Sequence, residues 1–269
     1  MTKRPFLLIT NDDGIHAPGL KHLWQSVHEW ADTAIVAPSS EKSGSGLSIT
    51  WTRPLMVKSI PWEGASAWSV SGTPADCVKM AIHMIIKRKP DLIISGINRG
   101  SNSGRTVLYS GTVGGVIEGA LKGIPGIAFS FSDVEPPSLE ATKSYISPLI
   151  QYVLKHPMPA ATFLNVTFPV NCEQGVKGFK LARQGKGYWV EDPEQRIHPE
   201  GTPYYWLGGR WGGCEEDPES DVAYAEQGYV TAAPIHVGDL TDQQAFDTHK
   251  DRINSLFSQE ATVNKIFNS

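Results

Sequence analysis

Cysteine is scarce in this sequence of 269 residues, which contains only Cys77, Cys172 and Cys214. The three cysteines are far apart and odd in number, so they match neither a disulfide framework nor a CxxC metal site. This cysteine usage fits a reducing compartment best.

An excess of positive charge and long apolar runs are lacking as well. The 24 lysines and arginines against 28 aspartates and glutamates give a net charge of -4, which provides no polycationic surface for a nucleic-acid backbone. The apolar run 6–9 is too short for a signal peptide, and no stretch approaches the roughly 20 apolar residues of a membrane-spanning helix. We therefore expect a soluble, cytoplasmic protein that has neither a nucleic-acid polymer nor a membrane as its partner.

Short apolar runs alternate with segments of helical periodicity as far as residue 168. Thr73 followed by Pro74 marks one helix start clearly, because threonine is a good N-cap and proline suits the first helical position. The sequence predicts strands at 6–10, 34–37, 91–95, 124–131 and 161–168, extended segments within 49–70, and helices at 20–27, 73–87, 112–121 and 139–154. This alternation predicts a Rossmann-like α/β fold, whose mostly parallel sheet is covered by helices on both faces.

The amino-acid composition changes after Pro169, where glycine, tryptophan and tyrosine become frequent between prolines. We expect a single α/β domain over 1–269, with a core at about 1–170 and an extension at about 171–269. Aromatic-rich segments of this kind often lie against another surface, so the extension is predicted to form extended arms or hairpins that build an oligomer, followed by a helix at 242–257. The alternative is that these aromatics belong to an ordinary core.

Two vicinal carboxylates, Asp12 and Asp13, follow the first predicted strand. Open α/β sheets bind their ligands at the carboxyl ends of strands, and two adjacent ionised carboxylates repel each other unless a cation lies between them. The pair is therefore a candidate metal site and catalytic centre. The alternative interpretation is that both residues are turn and N-cap residues of the next helix.

Two further loops present small oxygen-bearing side chains at predicted strand ends. Ser43 lies in KSGSGLS after the second strand, and Asn98 lies in SGINRGSNSG after the strand at 91–95. Hydroxyl and amide oxygens are suitable ligands for a hard divalent ion, so an all-oxygen set indicates magnesium or manganese. Plain turn chemistry remains the alternative for each loop.

A candidate phosphate site comes from Ser110, Gly111 and Thr112, which precede a predicted helix. Free backbone N–H groups at a helix N-terminus bind phosphate well, and Asn102 is a further candidate for stabilising its charge. The alternative is an N-cap without a ligand. A nicotinamide-dependent oxidoreductase is disfavoured, because GSGLSI at Gly44 lacks the third glycine of the dinucleotide fingerprint.

Six motifs in order make the sequence recognisable: ITNDDGIHAPGL, KSGSGLSIT, SGTPADCVKMA, SGINRGSNSG, YSGTVGGVIEGA and QGYVTAAPIH. They resemble the SurE family of survival proteins. The resemblance implies a metal-dependent phosphatase of nucleoside 5'- and 3'-monophosphates, and some members also hydrolyse short polyphosphate. It also implies a Rossmann-like core and homodimers or homotetramers joined by exchanged C-terminal segments.

Carried over by residue, the family's metal ligands fall on Asp12, Asp13, Ser43 and Asn98, each with the expected residue type. One departure is Thr106, where the family commonly has an aspartate before YSGTV. That aspartate contributes to the exchanged subunit arrangement, so the resemblance puts the oligomer contacts in question more than the chemistry. His236 is a candidate structural partner in the oligomer.

Our hypothesis is that one divalent ion, held by these four residues, polarises the phosphate and activates a water molecule for in-line attack. Direct attack by an aspartate, with an aspartyl-phosphate intermediate, remains open, although the D-x-D spacing of the best-known enzymes of that kind is absent. A different class of protein is also open, a catalytically silent nucleotide-binding regulatory module that keeps the fold and the metal.

Overall fold

The sheet that positions the candidate site runs through the larger of two units, Met1–Val237, and the second unit is Gly238–Ser269. The computed structural model describes residues 4–132, 139–170, 175–212 and 214–257. Cys172 lies outside the described residues. The strands are β1 (Phe6–Thr10), β2 (Asp32–Pro38), β3 (Val57–Ile60), β4 (Ser66–Val70), β5 (Leu92–Asn98), β6 (Gly126–Phe131), β7 (Thr162–Phe168), β8 (Phe179–Leu181), β9 (Tyr188–Val190), β10 (Glu194–Ile197), β11 (Pro203–Trp206), β12 (Arg210–Gly212) and β13 (Val230–His236).

Nine of these strands form one sheet in the order β3-β4-β2-β1-β5-β6-β7-β13-β8. Its central pairs, from β4 to β7, are all parallel, whereas β3 and β13 run antiparallel to β4 and β7. Every residue of β1, β6 and β7 is buried, which explains their continuous apolar character, since parallel strands covered on both faces have no solvent side. The predicted fold class is therefore confirmed.

Helices cover the two faces of this sheet. They are α1 (Pro18–Gln25), α2 (Pro74–Met80), α3 (Gly111–Ala120), α4 (Lys143–Lys155) and α5 (Asp221–Glu226), all in the larger unit. The second unit contains the helix α6 (Gln243–Phe257). One apolar cluster packs α1 and α4 side chains such as Leu20 and Ile150 against the sheet, and another includes Val78 of α2. No helix within the described residues has the length and apolar character to cross a bilayer.

The predicted helix at 73–87 begins as expected and ends differently. Thr73 caps α2 by accepting the backbone N–H of Asp76, while the Asp76 carboxylate accepts the backbone N–H of Thr73. This reciprocal capping box satisfies N–H groups that would otherwise lack partners. After Met80 the chain continues as a π-helical segment, Ala81–Ile85, so the α-helix is shorter than the periodicity suggests.

The tail contributes to the main sheet as well as forming hairpins. β10 pairs antiparallel with β11, and β9 pairs with β12, which confirms the predicted C-terminal hairpin strands. The sequence did not indicate that β8 and β13 extend the sheet beyond β7. The small residues of VTAAPIH carry only a weak strand signal, and their burial comes from packing beside β7. The boundary between core and extension, and the oligomeric role of the tail, remain predictions.

The strand order reverses between β1 and β5. Strand β1 has β2 as its neighbour on one side and β5 on the other. Connections that follow β1 and β5 therefore diverge to opposite sides and leave a crevice at the carboxyl ends of these strands. This crevice holds the acidic pair that follows β1 and Asn98 at the end of β5.

Gly114 in α3 provides a test of how closely this helix approaches the loop after β2. A Cβ atom added at Gly114 would clash with the backbone carbonyl oxygen of Gly46, which cannot move as a side chain does. We expect Gly114→Ala to lower the free energy of unfolding by about 1–3 kcal/mol, because an inserted methyl group overpacks the contact. Urea denaturation measures this change. Leu121→Ala, at an exposed position after the same helix, should change it by less than about 0.5 kcal/mol. Equal stability of Gly114→Ala and the parent chain would contradict the close approach of α3 to the loop after β2.

Candidate active site

A tight turn after β1 places the two carboxylates. The side chain of Asn11 closes this turn twice, because its Nδ2 donates to Gly14 O at 3.0 Å and its Oδ1 accepts from Gly14 N at 3.2 Å. Gly14 adopts a φ of +106°, which residues with a Cβ rarely adopt. Asn11 and Gly14 therefore fix the backbone from which Asp12 and Asp13 project.

Asp12 lies between the end of β1 and the N-terminus of α3. It is only 3% exposed, and its Oδ1 accepts a hydrogen bond from the Thr112 hydroxyl. Burial raises the pKa of Asp12 above its ordinary value, although hydrogen bonds from the Thr112 hydroxyl and the local backbone oppose this rise. The Asp12 carbonyl oxygen accepts from the backbone N–H of Lys42 at 2.8 Å, which brings the loop after β2 to the same point.

Asp13 is the second carboxylate, and its environment also disfavours the charged form. Burial and then the charge of Asp12 raise the pKa of Asp13 to about 6, while Arg99 acts in the opposite direction. Arg99 Nε lies 3.9 Å from Asp13 Oδ1, but its side chain is 57% exposed, so water screens this pair. The two carboxylates therefore lie side by side, and among the described residues Arg99 alone forms an ion pair with them.

Ser43 lies in the exposed loop that Lys42 connects to Asp12. Its hydroxyl donates to Glu41 Oε1 at 2.7 Å, which leaves the oxygen lone pairs of Ser43 able to accept or coordinate. Glu41 adds negative potential and contributes to the raised pKa of Asp12 and of Asp13. Within the described residues no hydrogen bond or ion pair joins Ser43 to Asp12, Asp13 or Asn98.

Asn98 and Asn102 lie on the loop that follows β5. Asn98 Nδ2 donates to Gly100 O at 2.9 Å and to Asn102 Oδ1 at 3.3 Å, an arrangement that leaves Asn98 Oδ1 available as a ligand. Asn102 is 3% exposed, and its Nδ2 has no partner within the described residues. A buried donor without a partner is costly, which favours a bound acceptor at this point.

The predicted phosphate segment begins α3. Ser110 Oγ accepts from Val113 N at 3.2 Å and is therefore the N-cap of α3, while the Thr112 hydroxyl donates to Asp12. Phosphate binding by the backbone N–H groups of this segment stays a prediction. A Cβ added at Gly111 would lie 2.6 Å from Ser45 Oγ and 2.8 Å from Asp12 Cβ, so only glycine fits there. Ser45 Oγ is a second buried polar atom without a partner within the described residues.

The oxygen atoms at this site are suitable ligands for a hard divalent cation. The described residues contain no group of three or more His, Cys, Asp or Glu suited to a metal, so such an ion would rely on two carboxylates and neutral oxygens. Asp12 and Asp13 supply the charge, and Asn98 Oδ1 and Ser43 Oγ supply neutral oxygens of the kind that magnesium and manganese accept. A cation would also relieve the repulsion that raises the pKa of Asp13.

The sequence and fold were compared with those of known proteins. The sequence model of the SurE family, described as survival protein SurE, matches residues 7–191. The chain belongs to the SurE family. Similar curated proteins include the 5'-nucleotidase SurE of Protochlamydia amoebophila, 49% identical over 245 residues, which span 90% of this chain and 94% of the relative. The 5'-nucleotidase SurE of Christiangramia forsetii is 41% identical over 243 residues, 89% of this chain and 93% of that relative.

A solved structure of the SurE family supports the same assignment. The crystal structure of the SurE protein from Aquifex aeolicus aligns with a TM-score of 0.79 and 36% sequence identity, covering 93% of this chain and all of that chain. The resemblance predicted from six motifs is therefore confirmed, together with the α/β fold.

Thr106, which departs from the usual SurE aspartate, has a local role. Its hydroxyl is close to the backbone carbonyl oxygens of Ser101 and Ser103, so it closes the loop that carries Asn102. His236 Nδ1 lies 3.1 Å from the hydroxyl of Thr162 on the neighbouring strand β7. Its role in an oligomer remains a prediction.

Sequence reasoning missed Asp221, which supports the same loop from the tail. The carboxylate of Asp221 accepts backbone N–H groups from Gly104 at 3.2 Å and from Gly185 at 2.8 Å. Gln184 Nε2 also donates to the carbonyl oxygen of Gly104 at 3.1 Å. No local pattern signals this support, because Asp221 is 117 residues from Gly104 along the chain.

Asp221 should make stability depend on pH. Burial raises its pKa from 3.8 to about 6, so the folded state keeps a proton that the unfolded state releases. The contribution of Asp221 to stability is therefore largest below pH 3.8, falls as the pH rises through the window up to about 6, and is lost above it. The loss is on the order of 3 kcal/mol.

Asp221→Asn tests this expectation. The amide oxygen can still accept the N–H groups that Oδ1 now accepts, and no charge has to be buried. We expect the variant to lose less stability than the parent chain between pH 4 and pH 6, by up to about 3 kcal/mol in urea denaturation. Asp221→Ala, which removes the acceptor, should be less stable at every pH. If stability depends on pH in the same way in the parent chain and in Asp221→Asn, Asp221 is not the cause of the pH dependence.

Proposed function

We propose that the chain is a metal-dependent phosphomonoesterase that hydrolyses nucleoside 5'-monophosphates, and 3'-monophosphates as well, to nucleoside and phosphate. The observation that carries this proposal is the adjacent carboxylate pair at the sheet's switch point, in which buried Asp12 accepts from the Thr112 hydroxyl and Asp13 is half-buried. The buried Nδ2 of Asn102, which has no partner within the described residues, lies on the loop after β5. The relatives named 5'-nucleotidase support nucleotide phosphomonoesterase activity. Short polyphosphate is a further candidate substrate.

The metal ligands in this proposal are Asp12, Asp13, Ser43 and Asn98, and the ion is magnesium or manganese. When bound, such an ion withdraws charge from the phosphoryl group and makes a water molecule more acidic. Thr112 keeps Asp12 oriented, and the repeated hydrogen bonds of Asn11 keep the turn rigid. This rigidity matters because catalytic groups act only in the correct geometry.

The phosphate is proposed to contact the chain on the side of α3 and the loop after β5. The buried Nδ2 of Asn102 would donate to a phosphate oxygen, and the backbone N–H of Gly111, the first residue of α3, would do the same. The side chains of Ser110 and Thr112 orient this segment, as the cap of α3 and the partner of Asp12, and their residues remain candidates for binding phosphate through the backbone. Arg99 adds the positive charge closest to Asp13.

We further propose a homodimer or homotetramer and a cytoplasmic location. The hairpin β10–β11 exposes Tyr205 and Trp206, whose side chains remain 64% and 60% accessible in the single chain, as expected of a surface that a second copy covers. Cys77 and Cys214 are both free thiols, which supports a reducing compartment.

Phosphate release from a panel of nucleoside monophosphates tests the function. We expect release with manganese or magnesium, none with EDTA, and a loss of at least about a hundredfold in Asp12→Asn, because one carboxylate of the pair becomes neutral. Lys58→Ala, at an exposed position on edge strand β3, is the control and should keep full activity. A folded parent chain that binds nucleotide and releases no phosphate with any metal would exclude the enzyme and favour the regulatory module.

Thr112 provides a second test, with metal affinity as the readout. Thr112→Val has nearly the same shape but loses the hydroxyl that donates to Asp12, so we expect about 10- to 100-fold weaker manganese binding, as for other partners of metal ligands. Thr112→Ser keeps the hydroxyl and should bind manganese within a few-fold of the parent chain. Calorimetric titration gives both affinities. Equal affinities for the valine and serine variants would show that the hydrogen bond does not orient Asp12.

A further inference from the structure

A cleft of about 640 Å³ opens beside Asp13. Its lining comes from the turn after β1, the start of α1, the ends of β2 and β5, and the position just before α4. The cleft therefore continues the crevice at the switch point of the sheet, and Asp13 borders both the candidate metal site and the cleft. Its volume lies within the range of about 300–1,000 Å³ that is typical of small-molecule sites.

The walls of this cleft combine apolar and polar groups. Ala17, Pro18 and Leu139 supply apolar surface, and His16 supplies a flat ring that makes no hydrogen bond within the described residues. Ser40 lies on the rim with an exposed side chain. A flat heteroaromatic ring with polar edges, attached to a sugar with hydroxyl groups, matches this combination, because its faces are apolar and its edges need hydrogen bonds.

Arg99 borders both the cleft and the acidic pair. It lines the cleft, and its Nε is 3.9 Å from Asp13 Oδ1. A nucleoside monophosphate has the same order of parts, with an anionic phosphate at one end and a base at the other. With the phosphate near Asp13 and Arg99, the rest of the molecule would extend into the cleft.

We propose that this cleft binds the nucleoside part of the substrate, with the base against His16 and the apolar wall and the ribose near Ser40. The inference rests on the proposed phosphomonoesterase function and adds the residues that recognise the nucleoside. Under this assignment, His16 and Ser40 determine how a nucleotide is distinguished from other phosphate esters, and they take no part in the chemistry.

A second cavity is the main alternative binding site for the base. It has a volume of about 520 Å³ and is lined by Ser101 and Ser103 of the loop after β5 together with Trp189 and Trp211. Two indole rings would suit a base, but here they contact each other edge to face, with their centroids 6.1 Å apart. Neither Asp12 nor Asp13 lines this cavity, whereas Asp13 lines the cleft, which favours the cleft for a base attached to a phosphate at the acidic pair.

Blocking each cavity separately distinguishes the two sites. Ser40→Trp fills the rim of the cleft beside Asp13, and Glu226→Trp places the same bulk at the second cavity, where Glu226 is exposed. The readout is kcat/KM for AMP divided by kcat/KM for methyl phosphate, which has no base. This ratio is independent of the fraction of folded enzyme. We expect Ser40→Trp to lower it at least about tenfold and Glu226→Trp to leave it unchanged.

Binding of adenosine supplies a readout that requires no catalysis. Adenosine lacks the phosphate, so its dissociation constant, measured by calorimetry with EDTA present, reports the nucleoside site alone. We expect Ser40→Trp to weaken this binding at least about tenfold, His16→Ala to weaken it about threefold or more, and Glu226→Trp to preserve it. The milder His16→Ala substitution serves as the second variant in case the tryptophan disturbs folding.

The outcomes separate failure of the cleft from failure of the enzyme. A parent chain that binds adenosine through the cleft and releases no phosphate would refute the proposed function while supporting the cleft. A parent chain that hydrolyses AMP, with Ser40→Trp showing an unchanged ratio and unchanged adenosine binding, would overturn the cleft alone. Loss of both readouts in Glu226→Trp would move the base to the second cavity, and absence of adenosine binding by the parent chain would overturn the inference.

Discussion

The repulsion between Asp12 and Asp13, which is strengthened by their removal from water, is the constraint on which the site depends. Burial raises the pKa of both carboxyl groups, and for Asp13 the charge of Asp12 is the next cause. A scaffold that only had to be stable would avoid such a pair, because two apolar residues would fit the end of a buried strand at lower cost. Several specific contacts nevertheless hold the pair in place. Asn11 closes the turn, the Thr112 hydroxyl donates to the Asp12 carboxylate, and the backbone N–H of Lys42 donates to the Asp12 carbonyl oxygen.

The loop after β5 shows that this support extends far along the chain. Asn102 is fixed by Ser130 on β6 and by Asn165 on β7, and Gly104 is fixed by Asp221 at the start of α5. Strands β6 and β7 therefore also fix the candidate phosphate loop, because the side chains of Ser130 and Asn165 form hydrogen bonds with its backbone. The same need explains why a carboxylate is buried at Asp221, where burial raises its pKa to about 6.

Much of this arrangement follows from sequence because its signals are local. A buried strand that ends in Asn-Asp-Asp-Gly predicts both the parallel sheet and the position of the acidic pair, and Thr73 with Pro74 predicts the start of a helix. Other features depend on contacts between distant residues. The bond from Gly104 to Asp221 and the insertion of β13 beside β7 leave no periodic pattern in the chain. The sequence predicts a phosphate site at the backbone N–H groups of Ser110, Gly111 and Thr112, which stays a prediction, but it does not indicate that the Thr112 hydroxyl binds Asp12, because that contact joins residues 100 positions apart.

The charge balance at the site bears on how a phosphate ester can bind there. Asp12, Asp13 and Glu41 place negative charge together, and Arg99 is the cation that lowers the pKa of Asp13 while remaining 57% exposed on its side chain. A phosphate monoester carries close to two negative charges at neutral pH, so these residues alone would repel it. A divalent cation held by the carboxylates would reverse this potential, and Asn102 would then donate to an oxygen that the local field no longer excludes. If the proposed residues hold a divalent cation, metal binding would therefore be a condition for substrate binding, besides any part that it plays in the chemical step.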